Sequence, residues 1–232
     1  MAKYGSRLIG KGPVAYGLLS LVVNILVATA LSSAAAGADP GQPGPVRLLA
    51  LGDSLTAGFN LPQGAGFTVR LEAALKAEKL AIEVINAGIS GDTTAGGLAR
   101  LDWALAARPD GVILELGAND ALRGLEPERV YNNLDQILTR LDRAGIPVLL
   151  AGMLAPPNLG ADYGRAFAAV YRRLADRHRV VFYPFFLDGV AADPTLNQGD
   201  GLHPTERGVE VIVRKIQPFV KKLIEQVRSK HN

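Results

Sequence analysis

The sequence predicts one α/β domain, a doubly wound sheet of about five parallel strands. Short, nearly uninterrupted apolar runs alternate with longer segments of helical period, at a repeat of roughly thirty residues. A loop rich in glycine and short polar residues follows most of the runs, as a βαβ chain requires where it turns from strand to helix.

The first strand is expected at Val46–Leu51, followed by the second at Ile82–Asn86, the third at Gly111–Leu116, the fourth at Pro147–Met153 and the fifth at Val180–Tyr183. Near-continuous apolar character is what parallel strands show when helices cover both faces of the sheet. The intervening helices are expected at Phe67–Lys79, Thr93–Ala107, Pro127–Ala144, Asp162–Arg177 and Glu206–Val227. Pro127 suits a first helical turn, and Gly145 stands where a glycine closes a helix.

The 232 residues are 48% apolar and 20% charged, enough for a full core and too apolar for disorder. With no cysteine, disulfides, thiolate catalysis, zinc–cysteine sites and iron–sulfur clusters are excluded together. The formal net charge of +3 is carried by Lys3, Arg7 and Lys11 in a head segment without acids. The rest is neutral, so no nucleic-acid footprint survives.

That head continues with an apolar stretch from Ala15 to Leu31 and ends in Ser32-Ser33-Ala34-Ala35-Ala36-Gly37-Ala38. Basic, apolar and small-residue regions in this order read as a cleaved secretory signal over residues 1–38, the alternative being an uncleaved anchor. A Pro/Gly spacer follows at 39–45, and the folded domain is expected over 46–232. The expected location is the bacterial periplasm or the medium.

In a doubly wound sheet, ligands bind beyond the carboxyl ends of the strands. Strand one ends in Leu51-Gly52-Asp53-Ser54-Leu55, which puts a serine there; most loop serines only cap a turn or helix. The Gly-x-Ser-x-Gly elbow and the nucleotide-binding glycine patterns are absent. Strand two leads into Asn86-Ala87-Gly88-Ile89-Ser90-Gly91-Asp92-Thr93, whose glycines expose backbone N–H groups and whose Asp92 or Thr93 suits a helix cap. Strand three leads into Gly117-Ala118-Asn119-Asp120, where Asn119 is either a turn residue or an oxyanion donor.

Near the C-terminus, Asp200 precedes His203 by three residues in Gly199-Asp200-Gly201-Leu202-His203-Pro204. The carboxylate at that spacing is placed to receive the imidazole Nδ1–H and leave Nε2 as a base; a helix cap with a surface histidine fits equally. His178 and His231 stand in a charged run and a terminal tail and read as solvated. That leaves His203 as the one candidate general base.

Four blocks in this order resemble the SGNH hydrolases, also called the GDSL esterase/lipase family: Gly52-Asp53-Ser54-Leu55, Gly91, Gly117-Ala118-Asn119-Asp120 and Asp200-Gly201-Leu202-His203-Pro204. Ile89-Ser90-Gly91-Asp92-Thr93, Gly97-Leu98-Ala99-Arg100-Leu101 and Asp120-Ala121-Leu122-Arg123-Gly124 resemble its exported thioesterase I, lysophospholipase and arylesterase branch. The resemblance implies a flavodoxin-like three-layer sandwich with strand order 2-1-3-4-5. It also implies Ser54 as nucleophile, Asp200 and His203 as its partners, and an oxyanion hole of Ser54 N–H, Gly91 N–H and the Asn119 amide. Ala118 stands where many members of the branch carry glycine. Met153-Leu154-Ala155-Pro156-Pro157-Asn158 resembles the branch's cleft wall but departs in detail.

The expected function is hydrolysis of fatty acyl, lysophospholipid or aryl esters and acyl thioesters through an acyl-serine, with no metal or cofactor. The alternatives are a carbohydrate O-acetylesterase on the same residues, or a catalytically silent flavodoxin-like binding module. The expected partner is a small ester or thioester with an apolar acyl or aryl group, toward which Leu55, Leu122, Met153 and Leu154 near the cleft lean, with transient contact to membrane lipid allowed and no nucleic acid. Nothing in the sequence specifies an oligomeric state.

Overall fold

The computed structural model describes residues 44–231. The head segment and most of the spacer lie outside the described residues. Five parallel strands, β1 (Val46–Gly52), β2 (Ile82–Gly88), β3 (Gly111–Glu115), β4 (Val148–Ala151) and β5 (Val181–Tyr183), pair in the order β2-β1-β3-β4-β5. Eight α-helices surround them among the described residues: α1 (Ser54–Ala57), α2 (Phe67–Ala77), α3 (Thr94–Ala99), α4 (Leu101–Leu105), α5 (Ala118–Leu122), α6 (Pro127–Arg143), α7 (Ala161–His178) and α8 (Glu206–His231). The expected sheet order is the observed one.

Central β3 is buried at every position, whereas edge strand β2 alternates between buried and exposed residues. The difference follows from coverage, because only an interior strand has neighbours on all sides. Helix α6 shows the packing rule of the outer layer. Val130, Leu134, Ile137, Leu138 and Leu141 recur at helical spacing and are all buried, each contributing about 1.5–3 kcal/mol of transfer free energy. Pro127 starts the helix, and Gly145 adopts φ +69° just beyond its end, as expected.

Several boundaries differ from expectation. The helix expected over Thr93–Ala107 is two, α3 and α4, broken at Arg100 with φ −100° and ψ 6°. The weak helix formers Gly96 and Gly97 loosen the first piece, and the Arg100 side chain is drawn inward to backbone carbonyls. The run Pro147–Met153 yields only the four-residue β4, beyond which Gly152 donates to Tyr183 O at the end of β5 and accepts the Phe186 N–H. Helix α8 continues past Val227 and contains Pro218, which lacks an N–H for the helical ladder.

Candidate active site

Strand order reverses between β1 and β3, and the segments leaving their carboxyl ends open a crevice there. Ser54 leaves β1 as the first residue of α1. Asp53 is the cap of that helix, its Oδ1 accepting the Leu55 N–H at 3.0 Å. Ser54 is largely buried, and its neighbour Gly52 leaves no room for a side chain. A Cβ at Gly52 would strike the Thr56 hydroxyl and stand 2.7 Å from Glu115 Oε2.

His203 reaches Ser54 from a long connection between β5 and α8. Its Nε2 lies 2.9 Å from Ser54 Oγ, and its Nδ1 lies 2.6 Å from Asp200 Oδ2. The other carboxylate oxygen, Oδ1, accepts the backbone N–H groups of Leu202 and His203 at 2.9 and 3.0 Å. Of the two readings left open by the spacing, the histidine partner is the observed one; Asp200 caps no helix, and its Oδ1 instead closes the turn that carries His203. These N–H donors, with His203 foremost, lower its carboxyl pKa to about 2, so it remains ionised across the physiological range.

Gly91 has φ +81°, a left-handed conformation that disfavours any side chain even though the space around it is open. Among the described residues, the backbone N–H groups of Ser54 and Gly91 have no acceptor. Asn119 lines the crevice from the opposite side, in α5. Its Nδ2 donates to Asp92 O at 2.9 Å and to Asp53 Oδ2 at 3.2 Å. Ala118 is accommodated because the positive φ, +120°, falls on Gly117; Ala118 itself begins the helix. The structure therefore brings Ser54, Asn119 and His203 to one crevice, with Asp200 bound to His203 behind it and Gly91 next to Asp92, whose carbonyl takes the Asn119 amide.

Beneath these residues lies polar scaffolding to which sequence reasoning assigned no role. Glu115 is fully buried; its Oε2 accepts from Thr56 Oγ1 at 2.7 Å and Oε1 has no partner. Burial, reinforced by the nearby Asp53 charge, pushes its carboxyl well above the usual range. Asp53 is raised to about 6, mainly by burial, against the opposing effects of the Leu55 N–H, His203 and Asn119. Arg100 donates to Asp92 Oδ2, Ala87 O and Gly52 O at 2.7, 2.8 and 2.9 Å, clipping the ends of β1 and β2 to the Gly91 loop. Asp120 receives both the Thr94 N–H and its hydroxyl, tying α3 to α5. The signal for Glu115 was an acid inside an otherwise apolar strand.

Beside Ser54 opens a cavity of about 410 Å³, lined by Ser54, Asn119 and His203 together with an apolar wall. Leu55 and Met153 are buried in that wall, and Leu122 and Leu154 stand half exposed at it. Pro156 and Pro157 join them; Asn158 does not. No group of metal-ligating side chains occurs among the described residues, and no helix there is long and apolar enough to cross a membrane.

His178, expected to be solvated, is instead partly buried, with Nε2 2.7 Å from Asp135 Oδ1, which also takes Arg177 Nε at 3.0 Å. The carboxylate on α6 draws the ring inward. The expectation for His231 concerns a side chain outside the described residues.

Residues 50–211 match the GDSL-like Lipase/Acylhydrolase family. The chain is 39% identical over 178 residues to Esterase TesA of Pseudomonas aeruginosa, covering 76% of this chain and 89% of that protein. It is likewise 39% identical over 174 residues to the Thioesterase 1/protease 1/lysophospholipase L1 of Escherichia coli K12, covering 75% and 78%. The crystal structure of AlinE4, described as an SGNH-hydrolase family esterase, superposes with a TM-score of 0.67 at 46% identity, over 78% of this chain and 97% of that one. With its 2-1-3-4-5 sheet and its Ser54–His203–Asp200 contacts, the chain belongs to the GDSL-like lipase/acylhydrolase family of SGNH hydrolases.

Proposed function

We propose that the chain hydrolyses carboxylic esters and acyl thioesters with apolar acyl groups through an acyl-serine on Ser54. One observation carries the reading: a hydrogen-bonded chain from Ser54 Oγ through both nitrogens of His203 to Asp200, opening onto an apolar cavity of about 410 Å³. The esterase and thioesterase names of the relatives point the same way.

Asp200 accepts the Nδ1–H of His203 and thereby leaves Nε2 as the base. Ser54 gives its proton to Nε2 as Oγ attacks the substrate carbonyl carbon. The oxyanion that develops is received by the Ser54 and Gly91 N–H groups and by the Asn119 amide, which relaxes its longer bond to Asp53 to turn one N–H toward it. Collapse expels the alcohol or thiol, protonated by His203. Water, activated by the same nitrogen, then attacks the acyl-serine and releases the acid. Lysophospholipids, aryl esters and acyl thioesters are the substrate classes proposed. The apolar wall favours these over the small acetyl group of a carbohydrate acetylesterase.

Residues 1–38 are proposed as a secretory signal that delivers the domain, 46–232, to the periplasm or the medium, with contact to membrane lipid confined to substrate capture. The deciding experiment is a hydrolysis profile over acyl lengths with matched oxygen and sulfur esters. The reading expects turnover that rises from acetyl to medium-length chains. Activity confined to acetylated sugars would refute it.

A further inference from the structure

The imidazole of His203 has a second neighbour. The Phe59 ring lies against it, with centroids 4.5 Å apart and planes tilted by 38°. Phe59 is not among the residues lining the apolar cavity, although His203 is. It therefore approaches the imidazole from outside that cavity.

Its position is held by a clasp. The Phe59 N–H donates to Ser54 O at 3.1 Å, and Gln198 Nε2 donates to both Phe59 O and Pro204 O at 3.0 Å. Asn60 Nδ2 donates to Gln198 Oε1 at 3.0 Å, while the Gln198 N–H donates to His203 O at 2.7 Å. The serine and histidine loops are thus joined through one side chain. Yet Phe59 remains 45% exposed, an apolar residue fixed beside the proposed reacting groups and only partly covered.

In an acyl-serine mechanism the two halves of the substrate separate at Ser54. The acyl half takes the cavity. The departing half must lie within reach of His203 Nε2 to receive its proton, and the Phe59 ring lies against that same imidazole. We propose that Phe59 is a specificity-determining residue for this half, its ring receiving planar apolar leaving groups so that aryl oxygen esters are favoured over alkyl esters of the same acid. During the step, the bond from the carbonyl carbon to the aryl oxygen breaks, and the proton from His203 goes to that oxygen. The inference rests on the acyl-serine reading above.

The test compares kcat/KM for 1-naphthyl butyrate and ethyl butyrate in the wild type, Phe59→Ala, Phe59→Leu and Phe59→Tyr, because the mutant-to-wild-type ratio cancels the intrinsic reactivity of each ester. The expected result is a loss on the naphthyl ester about five- to tenfold larger than on the ethyl ester in the Ala and Leu variants, with Tyr retaining the preference. Should the Ala variant fail to fold, the Leu variant keeps apolar bulk without the ring and carries the comparison. Equal losses on both esters, with Ser54 still labelled by a small alkyl fluorophosphonate, would overturn the role of Phe59 and leave the acyl-serine reading standing. A wild type that hydrolyses neither ester and shows no labelling would overturn both.

Discussion

Asn119→Ala separates the proposed oxyanion role from scaffolding, because one side chain is assigned both. Its amide makes two hydrogen bonds in the resting site, one to the Asp92 carbonyl and one to the Asp53 carboxylate. At about 1 kcal/mol for the neutral bond and somewhat more for the charged one, truncation should cost about 2–3 kcal/mol of stability. For a domain of this size that lowers the melting temperature by about 5–10 °C. Losing an oxyanion donor removes a further 3–4 kcal/mol from the transition state alone, so kcat should fall about 10²–10³-fold with KM little changed. Calorimetry and steady-state kinetics on one preparation measure the two effects independently. A variant with the lowered melting temperature and a kcat within about threefold of wild type would refute the oxyanion role and leave Asn119 a structural bridge.

The remaining predictions concern the supports of the site. Arg100→Leu leaves the largely buried Asp92 carboxylate without its cation and takes one donor each from the Ala87 and Gly52 carbonyls, and should destabilise the fold by about 3–5 kcal/mol in denaturant titration. Asp53, raised from 3.8 to about 6 by burial, binds its proton more readily in the folded than in the unfolded chain. Its contribution to stability is therefore present below pH 3.8 and lost as pH rises through 6, by up to about 3 kcal/mol. Asp53→Asn should flatten that part of the stability–pH curve, and an unchanged slope would contradict the assignment. Intact-mass measurement of the exported protein should find a mature N-terminus near Gly37 or Asp39, whereas a full-length membrane-bound species would mean that the head is an anchor.

Much of this architecture is legible in the sequence because its signals are local. The apolar run Val112–Leu114, short and bounded by glycines at 111 and 117, reads as an interior strand, and the spacing of Val130, Leu134, Ile137 and Leu141 reads as one buried helical face. The residues proposed to react are legible for a different reason. Each stands at the carboxyl end of a strand or in a glycine-shaped turn, where the chain itself announces a loop. What stays hidden is long-range pairing. That Asn119 is bound to Asp53, 66 positions earlier, or that Arg100 reaches Gly52, 48 positions earlier, depends on how distant loops converge. The same cause split the helix at Arg100, since its periodicity ran on while tertiary hydrogen bonds drew the side chain inward. His178 is the converse case, a residue in a charged run that one carboxylate on a neighbouring helix turns into a partly buried partner.

The central claim is that Ser54, activated by His203 at 2.9 Å, carries the acyl group during turnover. Peptide mass mapping after brief exposure to a fluorophosphonate tests it directly. The account predicts one adduct, on the peptide containing Ser54, forming in step with loss of esterase activity and absent in Ser54→Ala. An adduct on any other residue, or inactivation that persists in Ser54→Ala, would contradict it.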